Sequence, residues 1–297
     1  MVASKPQTAL TVTERPKVRS HRSRALMRFW QNKAGVAGAV IVVLMLLFAF
    51  GLTLFIPFPG TNALQASKMP LEAPGHILGT DIAGRDMVGL LAHGTRTSLI
   101  IALAVQFLVV FIAVILGFSA GWFGGRVDFT VNRAIEIFTA IPVLLFSILF
   151  ILVLGNSVPI LILAIGFLAW VELARLVRGQ VLQTREKEYI EAAKAVGVTT
   201  FGIAWKHVLP NILNPIIIAI SLSLPAIILA ESTLSFLGYG LSEGMPSLGK
   251  MVGVSWQYIQ AYWHMALLPT IFLSVLMIGI TFFGDGLRDA LDPRASR

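Results

Sequence analysis

Cysteine is absent from this sequence of 297 residues, and charged residues are scarce, since Asp, Glu, Lys and Arg together make up 13% of it. Without cysteine the chain has no disulfide framework, no thiolate metal site and no cysteine nucleophile. A soluble domain carries about 25% charged residues, so this chain lacks the polar surface of a water-soluble globule. Hydrophobic residues make up 56%, and the mean hydropathy is +0.82. The composition predicts an all-α integral membrane protein, long enough for about six spans of about 20 residues.

Reactive constellations are missing as well. The sequence has no His-Glu-x-x-His pair for zinc. Segment 244–250 follows the phosphate-binding loop pattern as far as Lys250, but Met251 stands where a Ser or Thr must hold magnesium. We therefore predict that the chain has no catalytic residue and itself binds no metal, ATP or other cofactor.

Long uncharged stretches predict six transmembrane helices. We place them at about residues 34–56, 98–121, 134–154, 158–174, 211–237 and 265–283. The first stretch is too long for the core of a cleavable signal peptide, so we interpret it as an uncleaved span. The chain is then divided into a basic tail at 1–33, the first helix at 34–56, an external segment at 57–96, a core at 97–284 with an inner loop at 175–210, and a tail at 285–297.

The basic residues predict the orientation, because Lys and Arg collect on the cytoplasmic side of a membrane. When the spans alternate, all but four of the 23 Lys and Arg residues fall on one side. The exceptions are Lys68, Arg85, Arg96 and Lys250. Both termini are therefore predicted to be cytoplasmic. We interpret the basic tail as a topology signal that rests on anionic membrane lipid, and we expect no nucleic-acid partner.

Small residues recur at every fourth position of the second span, at Ala113, Gly117, Gly121 and Gly125. This spacing lines one helix face with small side chains and lets another helix approach closely. We interpret the face as a packing surface, within the chain or against a partner subunit, rather than as a substrate groove.

Two longer external segments carry distinct signals. Turn residues at 79–86 lead into Met87 to Leu91, which we expect to lie on the membrane surface. Segment 238–264 contains aromatic residues typical of a membrane–water boundary, with a stacking platform for nucleotides or sugars as the alternative. These residues are Trp256, Tyr258, Tyr262 and Trp263.

Three acidic residues fall within or beside predicted spans. Glu136 and Glu172 lie near cytoplasmic ends, where we expect them to be solvated or paired with a neighbouring Arg. Glu231 lies deep in the fifth span and is followed by Ser232. A carboxyl at that depth must pair, bond to hydroxyl groups or face a water-filled path. We therefore keep two interpretations of Glu231 and Ser232, a structural hydrogen-bonded role and a place on a translocation path.

The inner loop 175–210 is too rich in helix formers to be a simple linker. Residues 186–196 predict a short helix that Gly197 breaks, and Thr199 or Thr200 can cap a second helix, which we expect to end before Pro210. Along it, Phe201, Trp205 and Val208 are spaced at i, i+4 and i+7. Such an apolar stripe needs a partner surface, or else it packs onto its own membrane domain.

Short motifs in this loop resemble a known family. Glu191-Ala192-Ala193, Gly197 and Leu209-Pro210 resemble the Glu-Ala-Ala loop of the membrane subunits of binding-protein-dependent ABC importers, with His207 where that family usually has Ile. Further matches resemble the second permease subunit of the dipeptide, oligopeptide and nickel branch. They lie at 76–81, 84–86, 234–238, 284–289 and 291–293.

The resemblance implies a type I permease-like domain in a bacterial or archaeal plasma membrane. It implies a second, homologous permease, two ATPase subunits that bind ATP and magnesium, and an extracytoplasmic substrate-binding protein. Peptides would be the cargo, with nickel, a metal chelate or glutathione as alternatives, and this chain would not hydrolyse ATP.

The loop would couple the permease to the ATPases, with Phe201 and Trp205 as the contact residues. The implied coupling residues are Glu191, Ala192, Ala193, Gly197, Phe201, Trp205, His207, Leu209 and Pro210.

Two rival functions remain at this point. An ion-coupled secondary transporter would have several acids within the membrane and an inverted repeat, whereas this sequence shows one deep acid, Glu231. A scaffolding membrane subunit is the other rival, and its deletion would leave uptake unaffected.

Overall fold

The computed structural model describes residues 21–70, 72, 74–241 and 244–291. Within these residues the chain is helical and contains no β-strand. The basic tail as far as residue 20, Asp292-Pro293 of the last motif, and Arg294 and Arg297 lie outside the described residues. The helices are α1 (His21–Gln31), α2 (Lys33–Phe55), α3 (Met87–Phe123), α4 (Gly125–Thr139), α5 (Val143–Leu154), α6 (Val158–Arg185), α7 (Glu188–Ala195), α8 (Thr200–Phe236), α9 (Leu248–Ser255) and α10 (Trp263–Leu291).

Five helices are long and apolar enough to cross a bilayer, namely α2, α3, α6, α8 and α10. Their 23 to 37 residues correspond to about 35–55 Å at about 1.5 Å per residue, more than the roughly 30 Å of a hydrocarbon core. A sixth crossing exists only if α4 and α5 act together, because they are bent by 86° at a short break. The prediction of about six spans is therefore confirmed.

The prediction of a continuous third span at 134–154 was wrong. The chain turns between Thr139 and Val143, and Pro142 in extended conformation (φ −63°, ψ 115°) precedes the first residue of α5. Proline lacks the amide hydrogen that would continue the helix, and it disfavours helical geometry in the residue before it. Hydropathy alone cannot show such a change of direction.

Residues 87–91, which we expected to lie on the membrane surface, are the start of α3 rather than a separate segment, because that helix begins at Met87. The Asp86 carboxylate caps its first turn by accepting a hydrogen bond from the Gly89 amide (2.8 Å), and Met87, Leu90 and Leu91 are buried. An effective N-cap therefore starts the helix eleven residues before the uncharged stretch does.

Two further helix ends differ from the predictions. Helix α6 continues to Arg185 instead of ending near residue 174, and Glu172 pairs within it with Arg175 (Oε1 to Nη1, 3.2 Å). Helix α8 runs through Pro210, because this proline lies in the first turn of the regular segment Leu209–Phe236. The first turn does not need the missing amide hydrogen.

Helix α3 packs closely against α6 along the small-residue face. A Cβ atom placed on Gly117 would lie 2.5 Å from the carbonyl oxygen of Ala174, and one on Gly121 would lie 2.8 Å from Cβ of Val181. Ala113 on the same face is buried, whereas a Cβ on Gly125 would meet nothing within 4 Å. The packing interpretation is confirmed for the first three residues, and Gly125 instead begins α4.

Gly117→Ala should destabilise the protein, because the added methyl group overlaps the backbone of α6. Overpacking of this kind costs about 1–3 kcal/mol. Gly179→Ala on α6 is the matched control, since a Cβ there meets no atom within 4 Å. We expect a lower melting temperature in detergent for Gly117→Ala and an unchanged or higher one for Gly179→Ala. Equal melting temperatures would show that the α3–α6 contact is looser than described.

Candidate functional site

The inner loop forms two helices joined by a glycine turn. Helix α7 ends in a turn where Gly197 has φ +80°, a conformation that glycine adopts without strain. The amides of Gly197 and Val198 donate to the carbonyl oxygens of Lys194 and Ala193. Thr199 then caps α8, because its hydroxyl accepts a hydrogen bond from the Gly202 amide (3.2 Å). The order helix, glycine break and capped helix is thus as predicted.

Buried residues anchor this loop while most of its surface stays open. Ile190 and Ala193 are buried on one face of α7, and Ile203 and Val208 are buried at the start of α8. Of the residues implied for coupling, His207 and Leu209 are half-buried, and the Asn211 side chain donates to the His207 carbonyl oxygen (2.6 Å). The exposed ones are Glu191, Ala192, Gly197, Phe201, Trp205 and Pro210.

Phe201 and Trp205 form a stacked aromatic pair on the open surface of the loop. Their rings are nearly parallel, with an interplanar angle of 6° and a centroid separation of 6.4 Å. The side chains are 76% and 63% exposed. Two large apolar rings in contact with solvent are unfavourable, so this surface is typical of an interaction site.

Val208 does not extend this surface, contrary to the predicted stripe. Residues Ala204–Val208 form a wider π-type turn. The extra residue per turn rotates Val208 away from Phe201 and Trp205 and into the core, where it is fully buried.

An apolar groove of about 540 Å³ separates the aromatic pair from the end of α3. Phe201 and Trp205 form one wall, and Phe118 and Trp122 of α3 form part of the other. The pair therefore lies beside its own membrane domain without being covered by it. The alternative that the apolar stripe packs onto its own membrane domain explains only the side of the two rings that faces α3, and leaves the other side uncovered.

An ion pair that the sequence did not indicate ties α6 to α4 near the loop. Arg178 donates from Nε and Nη2 to the two carboxylate oxygens of Asp128 (2.5 and 2.7 Å), and Asn132 donates to the same carboxylate (2.8 Å). Arg185 donates to the Trp122 carbonyl oxygen at the end of α3 (3.1 Å). A bidentate pair of this kind fixes the relative orientation of two helices. No sequence signal was available, since Asp128 and Arg178 lie 50 residues apart.

Glu231 is fully buried among serine hydroxyl groups. Ser98 of α3 and Ser232 donate to its Oε2 (3.1 and 3.3 Å), and Ser235 donates to Oε1 (2.8 Å). The Ser98 hydroxyl accepts in turn from the amide of Leu248, the first residue of α9 (3.2 Å). The carboxyl therefore joins three helices, α3, α8 and α9.

This geometry supports the structural interpretation of Glu231 and Ser232. The backbone of Ser232 lies against α9, because a Cβ on Gly249 would come within 2.3 Å of the Ser232 carbonyl oxygen. Neither residue is part of the wall of the large cavity between α3, α5, α6 and α8. A role of the two residues on a translocation path stays a prediction.

The turn at 76–86 holds the start of α3. Asp81 accepts hydrogen bonds from the amides of Ala83 and Arg85 (2.9 and 2.8 Å), and Arg85 pairs with it through its side chain (2.6 Å). His76 lies 2.9 Å from the capping carboxylate of Asp86. The motif residues thus serve a turn, and the described residues contain no group of three or more His, Asp or Glu side chains placed to hold a metal ion.

The fold and the site define a polytopic α-helical membrane protein in which the connection from α6 into the start of α8 leaves an aromatic pair exposed. Residues 113–297 match the family described as "Binding-protein-dependent transport system inner membrane component". Residues 20–74 match the "N-terminal TM domain of oligopeptide transport permease C". The chain belongs to this family of transport permeases and is a multi-pass protein of the bacterial plasma membrane.

Similar proteins cover nearly the whole chain. The oligopeptide transport system permease protein OppC of Haemophilus influenzae is 38% identical over 91% of this chain and 88% of its own length. The dipeptide transport system permease protein DppC of Bacillus subtilis is 37% identical over 94% of this chain and 87% of its own length. Among solved structures, an inward-facing MetNI methionine ABC transporter chain has a TM-score of 0.57 at 22% identity, covering 68% of this chain and 96% of that one. That likeness shows a shared fold.

Glu231→Ala should destabilise the protein, because the serine hydroxyl groups around it lose their shared acceptor. Unsatisfied buried polar groups cost on the order of 1–3 kcal/mol each. Thr233→Ala is the control, since its exposed hydroxyl only bonds the Leu229 carbonyl oxygen of its own helix. We expect thermal stability in detergent to fall for Glu231→Ala, to fall less for the isosteric Glu231→Gln, and to stay unchanged for Thr233→Ala. Unchanged stability of Glu231→Gln together with lost uptake would instead support the path interpretation.

Proposed function

We propose that this chain is one of two membrane subunits of an ATP-driven importer of peptides. The observation that carries the proposal is the exposed Phe201–Trp205 pair on a helix, glycine break and helix segment, in a chain whose relatives over nine-tenths of its length are oligopeptide and dipeptide transport permeases. The partners are a homologous second permease, two ATPase subunits that hold ATP and magnesium, and an extracytoplasmic binding protein that delivers the peptide. The chain itself is not an enzyme.

The coupling segment lies on the cytoplasmic side in this proposal, as do both termini. The excess of Lys and Arg on that side supports this orientation. Phe201 and Trp205 insert into a recess of one ATPase subunit, while Glu191, Ala192, Ala193 and Gly197 give the segment its shape. His207, Leu209 and Pro210 connect it to the span that follows.

Helix α8 is suited to transmit movement, because it is continuous from Thr200 to Phe236. Displacement of its first turn by an ATPase therefore moves the part of α8 that lies among the other spans. The Asp128–Arg178 pair links the end of α6 to α4, so that α4 and α6 move with the loop between α6 and α8. In coupling of this kind the complex shifts between two conformations, and the binding of ATP and of the transported peptide each changes the equilibrium between them.

An ion-coupled mechanism receives less support than ATP coupling. Glu231, the one deep acid on which such a mechanism would depend, accepts hydrogen bonds from three serines, Ser98, Ser232 and Ser235. A carboxyl that serves as the acceptor at a junction of three helices is poorly placed to release and rebind an ion in each transport cycle.

Trp205→Ala should weaken binding of the ATPase subunits, because it removes the larger ring of the exposed pair. Trp256→Ala is the matched control, since Trp256 has a similar exposed fraction of 60% and lies in the segment assigned to the outer side. We expect co-purification of the ATPase subunits, or peptide-driven ATP hydrolysis, to fall at least fivefold for Trp205→Ala alone. Normal recovery of the complex with normal uptake would contradict the coupling role.

The cargo can be identified by uptake into proteoliposomes that contain all subunits and the binding protein. We expect ATP-dependent accumulation of labelled di-, tri- or pentapeptides and no accumulation without ATP. Accumulation of nickel or glutathione instead of any peptide would contradict the peptide assignment while leaving the permease role intact. Uptake driven by an ion gradient without ATP would contradict the importer class.

A further inference from the structure

A cavity of about 660 Å³ opens into the membrane domain between α3, α5, α6 and α8. Besides Ile227, its α8 wall contains four small residues spaced three and four apart, which form one face of that helix: Ala219, Ser223, Ala226 and Ala230. These small side chains leave the space open, and the volume lies within the 300–1,000 Å³ range of about drug-sized ligand sites.

Glu172 and Arg175 of α6 place opposite charges on the wall of this cavity. They are paired through one contact of 3.2 Å, and Arg175 also donates to the Thr139 hydroxyl at the bend between α4 and α5 (3.2 Å). Their side chains remain 79% and 49% exposed. The pair is therefore loose, and most of the hydrogen-bonding capacity of both groups is available to a third molecule.

Glu172 and Arg175 lie within α6, a helix long and apolar enough to cross a bilayer. Glu172 lies about 21 Å along α6 from Val158, at about 1.5 Å per residue, and the hydrocarbon core is about 30 Å thick. Exposed charges at such depth are costly in lipid and face a bundle interior or a water-filled cavity instead.

A second polar feature lies behind the opposite wall. Ser223 donates to Oε1 of Gln106 on α3 (2.9 Å), and Gln106 is buried. Its Nε2 has no hydrogen-bond partner in the described part of the chain. The cavity itself therefore combines a loosely paired acid and base with the Ser223 hydroxyl, between helices that otherwise present apolar side chains to it.

We propose that this cavity is this subunit's half of the peptide path, and that Arg175 and Glu172 bind the terminal carboxylate and ammonium groups of the passing peptide. The inference rests on the proposed function. Their mutual ion pair is exchanged for one with the peptide, so that no unpaired charge is left at any stage. Peptides of different sequence share these two groups, and the small residues of α8 leave room for varied side chains. The path is thereby assigned to Glu172 and Arg175 rather than to Glu231.

Charge substitutions test this assignment in the full complex. Uptake of trialanine by Arg175→Gln should fall at least tenfold, and Arg175→Lys should retain more uptake than Arg175→Gln because it keeps the charge. Basal ATP hydrolysis and recovery of the complex should stay within twofold of the wild type. Arg133→Gln is the matched control, since Arg133 forms the same i,i+3 pair with Glu136 (2.6 Å) away from the cavity.

Three outcomes of the substitutions overturn the assignment. If the Arg175→Gln and Arg133→Gln variants take up trialanine equally well, the charge of Arg175 has no role in uptake. If the complex is lost in both Arg175 variants, the Glu172–Arg175 pair has a structural role instead. If the Arg175→Lys and Arg175→Gln variants show equal uptake, the peptide does not require a positive charge at this position. If the wild-type complex accumulates neither trialanine nor any other peptide, the proposed function itself is wrong. This result differs from failure of the cavity assignment alone, in which the wild-type complex still takes up peptide.

The absence of cysteine allows an independent test of water access. In open membrane fragments, Ser223→Cys should react with a charged thiol reagent, and trialanine should slow this reaction at least twofold. Ser274→Cys is the control, because Ser274 is exposed on α10 away from the cavity and is expected to face lipid. No labelling at position 223, or labelling that trialanine leaves unchanged, would overturn the assignment of the cavity to the peptide path.

Discussion

The close packing of α3 against α6 is the contact on which the arrangement of the other helices depends. At Gly117 and Gly121 the two backbones approach so closely that even a methyl group does not fit. This contact brings the ends of both helices together, which lets Arg185 reach the Trp122 carbonyl oxygen and places Arg178 beside Asp128. It also fixes the position of Ser98, through which α3 reaches Glu231. Without a hydrophobic effect between helices in lipid, such close contact is a principal source of stability.

Two of the polar clusters within the helices differ from the Glu172–Arg175 pair. Asp128 with Arg178 and Glu231 with its serines have their hydrogen bonds satisfied by the protein, and each joins separate helices. Glu172 and Arg175 are neighbours on one helix, are largely exposed and contribute little to holding helices together. Since a charge in the membrane is costly whether or not it is structural, the loosely held pair requires a different explanation from the other two.

Sequence patterns predicted those features that depend on neighbouring residues. The long uncharged stretches identified the spans, Gly197 and Thr199 identified the break in the loop, and the spacing of Gly117 and Gly121 identified a packing face. Features that depend on direction or on distant partners were missed. Hydropathy did not show the turn before Pro142. The charges at Glu172 and Arg175 end the uncharged stretch but not α6, because a charged residue does not interrupt the backbone hydrogen bonds of a helix. The π-type turn that buries Val208 and the Asp128–Arg178 pair follow from three-dimensional packing, which no local pattern encodes.

The π-type turn at Ala204–Val208 also has a consequence for how such proteins diverge. A π-type turn contains one residue more than the regular helix needs. Loss of a single residue there would restore regular α-helix and rotate everything before it by about 100° relative to the spans, since a helix turns once in about 3.6 residues. The aromatic pair would then face a new direction while the helices within the membrane kept their contacts. Deletion of one codon would thus re-aim the aromatic pair, the surface that we propose docks on an ATPase subunit.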